Sequence, residues 1–143
     1  MMTIRRTSGQ ALVEFTLFFT LLLLLIAGVV DVGFVLFKYT ALSDAAQEGA
    51  AYAAINPADT PGIEDRVKDA LSSLVPEDEV TVDVTFPDGH ACPGARVKVA
   101  VSTDHMVLFP FARTFVPDGT VHLSADALQT VLQSSALCPT GTP

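Results

Sequence analysis

The run Leu12 to Asp31 reads LVEFTLFFTLLLLLIAGVVD, and its length decides what kind of chain this is. Between Phe15 and Val30 no residue carries a charge, and only Thr16, Thr20 and Gly28 are neither strongly apolar nor alanine. Nineteen helical steps cover about 28 Å, close to the hydrocarbon thickness of a bilayer. Glu14 and Asp31 then fall near the two boundaries, where a carboxylate costs far less than at the centre. The run predicts a helix that spans a membrane.

Flanking charge orients that helix. Arg5 and Arg6 precede the run, and the next base is Lys38. The positive-inside tendency places the N-terminus in the cytoplasm and the bulk of the chain outside it. Phe34, Phe37, Lys38 and Tyr39 follow as an aromatic and basic anchor for the outer interface. A secretory signal peptide is the competing reading, but its apolar region is usually shorter and is followed at once by a small-residue cleavage site. Here the first such site, around Ala41-Leu42-Ser43, lies beyond Asp31 and Lys38. Arg5-Arg6 is followed by Thr7-Ser8-Gly9, which does not suit a twin-arginine signal.

Composition limits the partners. The chain has 143 residues, half of them hydrophobic, and a formal charge of −8 from 16 acids against 8 bases. An acidic exterior argues against nucleic acid and against a polybasic lipid clamp. The lipid bilayer is therefore met through hydrophobic insertion. The residues beyond the anchor suffice for one small domain.

Helix propensity does not end with the apolar run. Tyr39 to Ile55, YTALSDAAQEGAAYAAI, is rich in alanine and free of proline until Asn56-Pro57 stops it. One helix from Leu12 to Ile55 is predicted, about 65 Å long, part of it a stalk clear of the bilayer. Ala41, Ala45, Gly49 and Ala53 recur every four residues, and small side chains at that spacing admit another helix at close range. Gly49 costs about 1 kcal/mol relative to alanine in a helix interior, which favours a packing role.

A short basic leader, MMTIRRTSG, ends at Gly9, and Glu14 stands five residues further on. Cleavage between Gly9 and Gln10 exposes an amine on Gln10 at the depth of Glu14, where it can pair with that carboxylate in the same subunit or a neighbour. Loss of Arg5 and Arg6 takes the formal charge from −8 to −10 before the new terminus is counted. Asp31 and Glu48 each fit two roles, a solvated or interfacial acid and an intersubunit partner.

The stretches GQALVEF (Gly9 to Phe15), GVVDVGFVLF (Gly28 to Phe37) and ALSDAAQEGAAYAA (Ala41 to Ala54) together resemble the TadE-like family, minor pilins or pseudopilins of the tight-adherence pilus system. Asp31 matches that family's acid near the outer end of the helix. Gln47, Glu48, Gly49 and Tyr52 match its alanine-rich motif. The resemblance covers about residues 5 to 55. It implies processing by a membrane-embedded prepilin peptidase, other pilin or pilus-assembly subunits as partners, and a role in pilus assembly or secretion.

The expected organisation is a leader over 1–9, a transmembrane helix over 10–37, a stalk over 38–56, an extracytoplasmic domain over 57–133 and a tail over 134–143. The fold class is α+β: a long N-terminal helix, then a short helix packed on an antiparallel sheet of about three strands. Thr60-Pro61 opens the short helix, with Glu64 and Asp65 suiting its N-terminus, and Pro76 ends it. Ile63, Val67, Leu71 and Leu74 line its apolar face. Val80 to Phe86 alternates as a half-buried strand, and Ala95 to Thr103 makes a second. Met106 to Phe115, broken by Pro110, reads as a covering loop or edge. A turn at Pro117-Asp118-Gly119 leads to a third strand with Val121, Leu123, Ala125 and Ala127 inward. Cys92 and Cys138 are a disulfide or two free thiols; a bridge between them contributes roughly 4 kcal/mol by loop-closure entropy.

No catalytic pattern emerges. His90, His105 and His122 are scattered and read as surface residues, and no spacing suits zinc. Nucleotide-binding, phosphate-loop and serine-nucleophile fingerprints are missing from the sequence. The chain is expected to be no enzyme, with no catalytic, metal or cofactor site and no small-molecule substrate. The alternative to a pilus subunit is a bitopic, signal-anchored cell-surface binding or adhesion module that stays outside any fibre.

Overall fold

The structure, a computed structural model, describes residues 8–107, 119–133 and Cys138. The first seven leader residues, positions 108–115 of the loop expected over Met106 to Phe115, the Pro117-Asp118 part of the turn and the tail apart from Cys138 lie outside the described residues, and Met106 itself belongs to a strand.

Helix α1, Ser8–Ile55, is one unbroken element of 48 residues, about 72 Å long. It begins inside the expected leader, because nothing from Ser8 to Leu12 breaks a helix. It stops where Asn56 and Pro57 end the alanine-rich stretch, and the Asn56 N–H donates to the Tyr52 carbonyl at 2.9 Å.

Helix α2, Thr60–Leu71, is held at its start by a residue the sequence reading passed over. The Asp59 side chain caps it, accepting from the Gly62 N–H at 3.2 Å, with Pro61 in the first turn. The capping carboxylate therefore precedes the helix, adding to the Thr60-Pro61 start that the sequence marks. The expected end at Pro76 is displaced. Ser72 and Ser73 follow Leu71, and the Ser72 hydroxyl bonds back to the Asp69 carbonyl at 2.8 Å. Short polar side chains of this kind compete with the helical ladder. The N–H groups of Leu74 and Val75 both turn onto the Leu71 carbonyl, and a short 3-10 turn, Glu77–Glu79, leads into the sheet.

The sheet has three antiparallel strands in the order β1-β2-β3: β1 Thr81–Thr85, β2 Arg96–Met106 and β3 Thr120–Thr130. Val84 faces Val99, which faces Ala127, and His105 faces Val121. The inner face thus carries Val82, Val84, Val97, Val99, Val101, Thr103, His105, Leu123 and Ala125. The outer face is polar, with Lys98 paired to Asp126 at 3.4 Å and Asp104 to His122 at 2.8 Å. β2 runs three residues past its expected end at Thr103.

The core lies between this inner face and the C-terminal part of α1. Leu42, Ala45, Ala46, Ala50 and Ala53 are buried together with Ile63, Val67 and Leu71 of α2 and the valines of β2. Burial of each large aliphatic side chain contributes roughly 1.5–3 kcal/mol. Residues assigned to a free stalk are therefore the central rib of the domain, and α2 packs on that rib as well as beside the sheet. The two ends of the domain are tied down. Leu132 donates from its backbone N–H to the Ala54 carbonyl at 2.7 Å, and Cys92 and Cys138 form a disulfide with Cα atoms 4.8 Å apart.

Candidate functional site

From Leu12 to Phe37 the large apolar side chains of α1 stand mostly exposed, with Leu12, Phe15, Leu17, Phe18, Leu21 and Leu25 each more than 60% exposed. An 18-residue window has a mean hydropathy of 2.6 and no part buried by the rest of the chain, and the helix is long and apolar enough to cross a membrane. Its polar groups are satisfied locally, as hydrocarbon demands. Thr16 donates to the Leu12 carbonyl and Thr20 to the Thr16 carbonyl, each at 2.8 Å. Phe15 and Phe19, one turn apart, stack with centroids 5.8 Å apart.

At the N-terminal end, Gly9 and Gln10 lie in the first turn of α1. The Gln10 side-chain amide donates to Glu14 Oε1 at 3.5 Å, both residues exposed. Four-residue helical spacing therefore brings the Gln10 side chain and the Glu14 carboxylate together. Among the described residues nothing packs on Gly9; a Cβ there would meet none of their atoms within 4 Å.

The small-residue face is occupied within the chain. Ala45 and Ala53 are buried and Ala41 is half-buried. A Cβ on Gly49 would sit 2.5 Å from Val67 Cγ2 and 3.3 Å from Val99 Cγ1. Gly49 is the point where α1, α2 and β2 meet, and a hydrogen atom is all that fits there. The sequence spacing located the close approach. The partners are the chain's own helix α2 and strand β2.

Glu48 is tied internally too. Its carboxylate pairs with Arg66 at 3.4 Å on the exposed side of the α1–α2 contact. The Arg66 guanidinium lies 5.8 Å over the Tyr52 ring, and the Tyr52 hydroxyl donates to Asp59 Oδ2 at 2.8 Å. That bond, then burial, then the Asp59 charge raise the Tyr52 hydroxyl above its ordinary pKa, with Arg66 opposing. The alanine-rich motif thus holds the cap of α2. Gly62 has no room for a side chain against Asp59 and Tyr52.

Just past the apolar run, Lys38 lines a cleft of about 620 Å3 with Asp78, Glu79, Thr81, Asp104, His105, Met106 and Thr120. His105 corrects an expectation: it is 6% exposed, not a surface residue, and its Nε2 has no hydrogen-bond partner among the described residues. Its inward position follows from the alternation of β2, which continues past Thr103. Burial lowers its pKa most, Lys38 lowers it further, and Asp31 opposes both. His90 and His122 are exposed, as expected. Among the described residues no group of three or more His, Cys, Asp or Glu side chains is placed to hold a metal ion.

No curated protein and no solved structure matches the chain. Residues 9–51, the apolar run and most of the alanine-rich rib, match the family model described as TadE-like protein, so that this segment is similar to proteins of that family.

Proposed function

We propose that this chain is a non-catalytic minor pilin or pseudopilin of the tight-adherence pilus or a related secretion apparatus. In this reading prepilin peptidase cuts between Gly9 and Gln10, the N-terminus faces the cytoplasm, and the domain stands outside. The observation that carries it is the division of α1. Its first thirty or so residues are apolar and uncovered, with Glu14 beside position 10, while the small domain grips only the far end. Such a subunit offers its helix to other pilin or assembly subunits and its domain to the space outside the cytoplasm. Single-pass insertion with Arg5 and Arg6 inside follows from the positive-inside tendency.

Mass spectrometry of protein purified from its native host tests the reading. A mature chain starting at Gln10 is expected, and an intact leader in cells with active peptidase would remove its basis.

A second reading, the signal-anchored surface module, draws on one specific observation. The small-residue face that suits packing between subunits is already filled by α2 and β2. Lateral contacts are then left to the lipid-facing part of α1. Cysteine crosslinking at Leu17 and Leu21 in native membranes separates the two: a pilus subunit forms adducts with other subunits there, and a lone anchor does not.

A further inference from the structure

We propose that the end of β2 and the start of β3 form a proton-operated latch. A neutral, buried His105 holds this two-stranded ribbon against α1, and protonation of its imidazole releases the ribbon. The inference concerns the domain alone and stands whether or not α1 crosses a bilayer.

Geometry comes first. β1 pairs with β2 only from Lys98 to Ser102. Beyond Ser102, β2 continues from Thr103 to Met106 against Leu123 to Thr120 of β3, and the Val107 N–H donates to the Gly119 carbonyl at 3.0 Å. Among the described residues this stretch is therefore a two-stranded ribbon that projects past the end of β1. Two strands alone are marginally stable, so the ribbon depends on what its inner face touches. That face carries Thr103 and His105, followed by Val107, and all three are buried. His105 and Lys38 of α1 line one cleft, which places the end of the ribbon beside that helix.

The hold is poor in hydrogen bonds. Neither Thr103 Oγ1 nor His105 Nε2 has a partner among the described residues. An unpaired neutral group costs less to bury than an imidazolium without an acceptor. Burial keeps the His105 pKa below its ordinary 6.5, Lys38 lowers it further, and Asp31 opposes both. Asp78 and Glu79 of the 3-10 turn line the same cleft, but neither accepts from Nε2. Asp104 lies on the outer face, where its pair with His122 at 2.8 Å ties β2 to β3 and not to α1. The closed form thus binds a proton less well than an open one, and acidification favours opening. The hinge is Ser102, where pairing with β1 ends, so the rest of the sheet keeps its ladder. Release opens the side of α1 that carries Lys38.

Distance measurement between spin labels on the full chain in uncharged detergent micelles tests the latch. Labels go on Gln47→Cys of α1 and Met106→Cys of β2, both exposed positions, the native cysteines being bridged to each other. A single distance is expected at about pH 7.5, giving way in part to a longer one at about pH 5. His105→Phe, which cannot titrate, should keep the short distance at both values. Lys38→Gln should weaken the response, because it removes a like charge, and His122→Asn should leave it in place. Should His105→Phe fail to fold, the ring resonances of His105 in the labelled chain decide: they should titrate below 6.5 and in step with the distance. An unchanged distance, a change that persists in His105→Phe, or a ring that titrates out of step with the opening would overturn the proposal. The amide resonances of Val82 and Val84 in β1 should stay in place throughout. Their loss together with the distance would mean that the whole domain unfolds, and would overturn it too.

Discussion

The two ends of α1 share one backbone and differ in what they ask of their surroundings. From Leu12 to Phe37 the side chains are large, apolar and mostly uncovered, and nothing else in the described chain packs on most of them. From Leu42 to Ala54 the inward side chains are mostly small, yet Leu42, Ala46, Ala50 and Ala53 have no exposure at all. Hydrophobicity therefore does not rank burial along this helix. The leucine-rich end is suited to lipid, which is as apolar as leucine itself, whereas the alanine-rich end is suited to close approach by protein. Size of side chain, not hydropathy, separates a lipid-facing helix from a domain's central rib.

Exchanging the demands on the two ends produces the largest effects. Leu42→Ala should destabilise the domain by about 2–5 kcal/mol, the range for a buried leucine truncated in a close-packed core, and leave membrane insertion intact. Urea unfolding of the full chain in detergent measures this. Leu23→Arg, at the middle of the apolar run, should do the reverse. It opposes insertion by roughly 2.5–3.5 kcal/mol and leaves the urea midpoint of the domain unmoved, because Leu23 is 49% exposed and outside the core. A domain that unfolded in Leu23→Arg would break the division of the helix.

Gly49 sharpens the same comparison. Gly49→Leu should destabilise by about 1–3 kcal/mol, the usual cost of overpacking, even though leucine is much the better helix former. Gly28→Leu, where nothing lies within 4 Å, should leave the domain's urea midpoint unchanged. The contrast reports whether packing or propensity governs each end.

Much of this was legible because periodicity carries it. The apolar run, the stop at Asn56-Pro57, the α+β class and three alternating strands follow from spacing and breakers alone. Gly49 was identified as a close approach, but one-dimensional spacing says only that something small is needed, not whether the partner is another subunit or a strand fifty residues later such as β2. Asp59 was missed as a cap, since Asn56-Pro57-Ala58-Asp59 reads as loop and the cap is settled only by the chain's turn into Gly62. His105 was missed because the hydrophobic alternation of β2 gives way to Thr103 and His105 while the strand itself continues. The Cys92–Cys138 bridge joins positions 46 apart, a pairing that composition permits and only the fold brings into contact.

The smallest predicted effect belongs to the end of the domain at the β1–β2 loop, and it is one that the lipid-facing run should not share. Arg96 grips Asp88 with its side chain, Nη2 to Oδ1 at 2.8 Å and Nε to Oδ2 at 3.2 Å, and with its backbone N–H at 2.8 Å. These bonds, the side-chain ones first, hold the Asp88 carboxyl down to about 2, and Arg96 is raised in return. Because the folded value lies below the ordinary value of 3.8, the unfolded chain binds a proton that the folded chain refuses. The stabilisation is therefore complete above about pH 4 and is lost as the pH falls toward about 2. Asp88→Asn should lower the thermal midpoint of the domain slightly at neutral pH, and the gap to wild type should close on acidification through that window. The pair is open to solvent, so added salt should shrink the gap as well. A gap that stayed constant from neutral pH to about pH 2 would mean that Asp88 acts by shape in the loop and not by its charge.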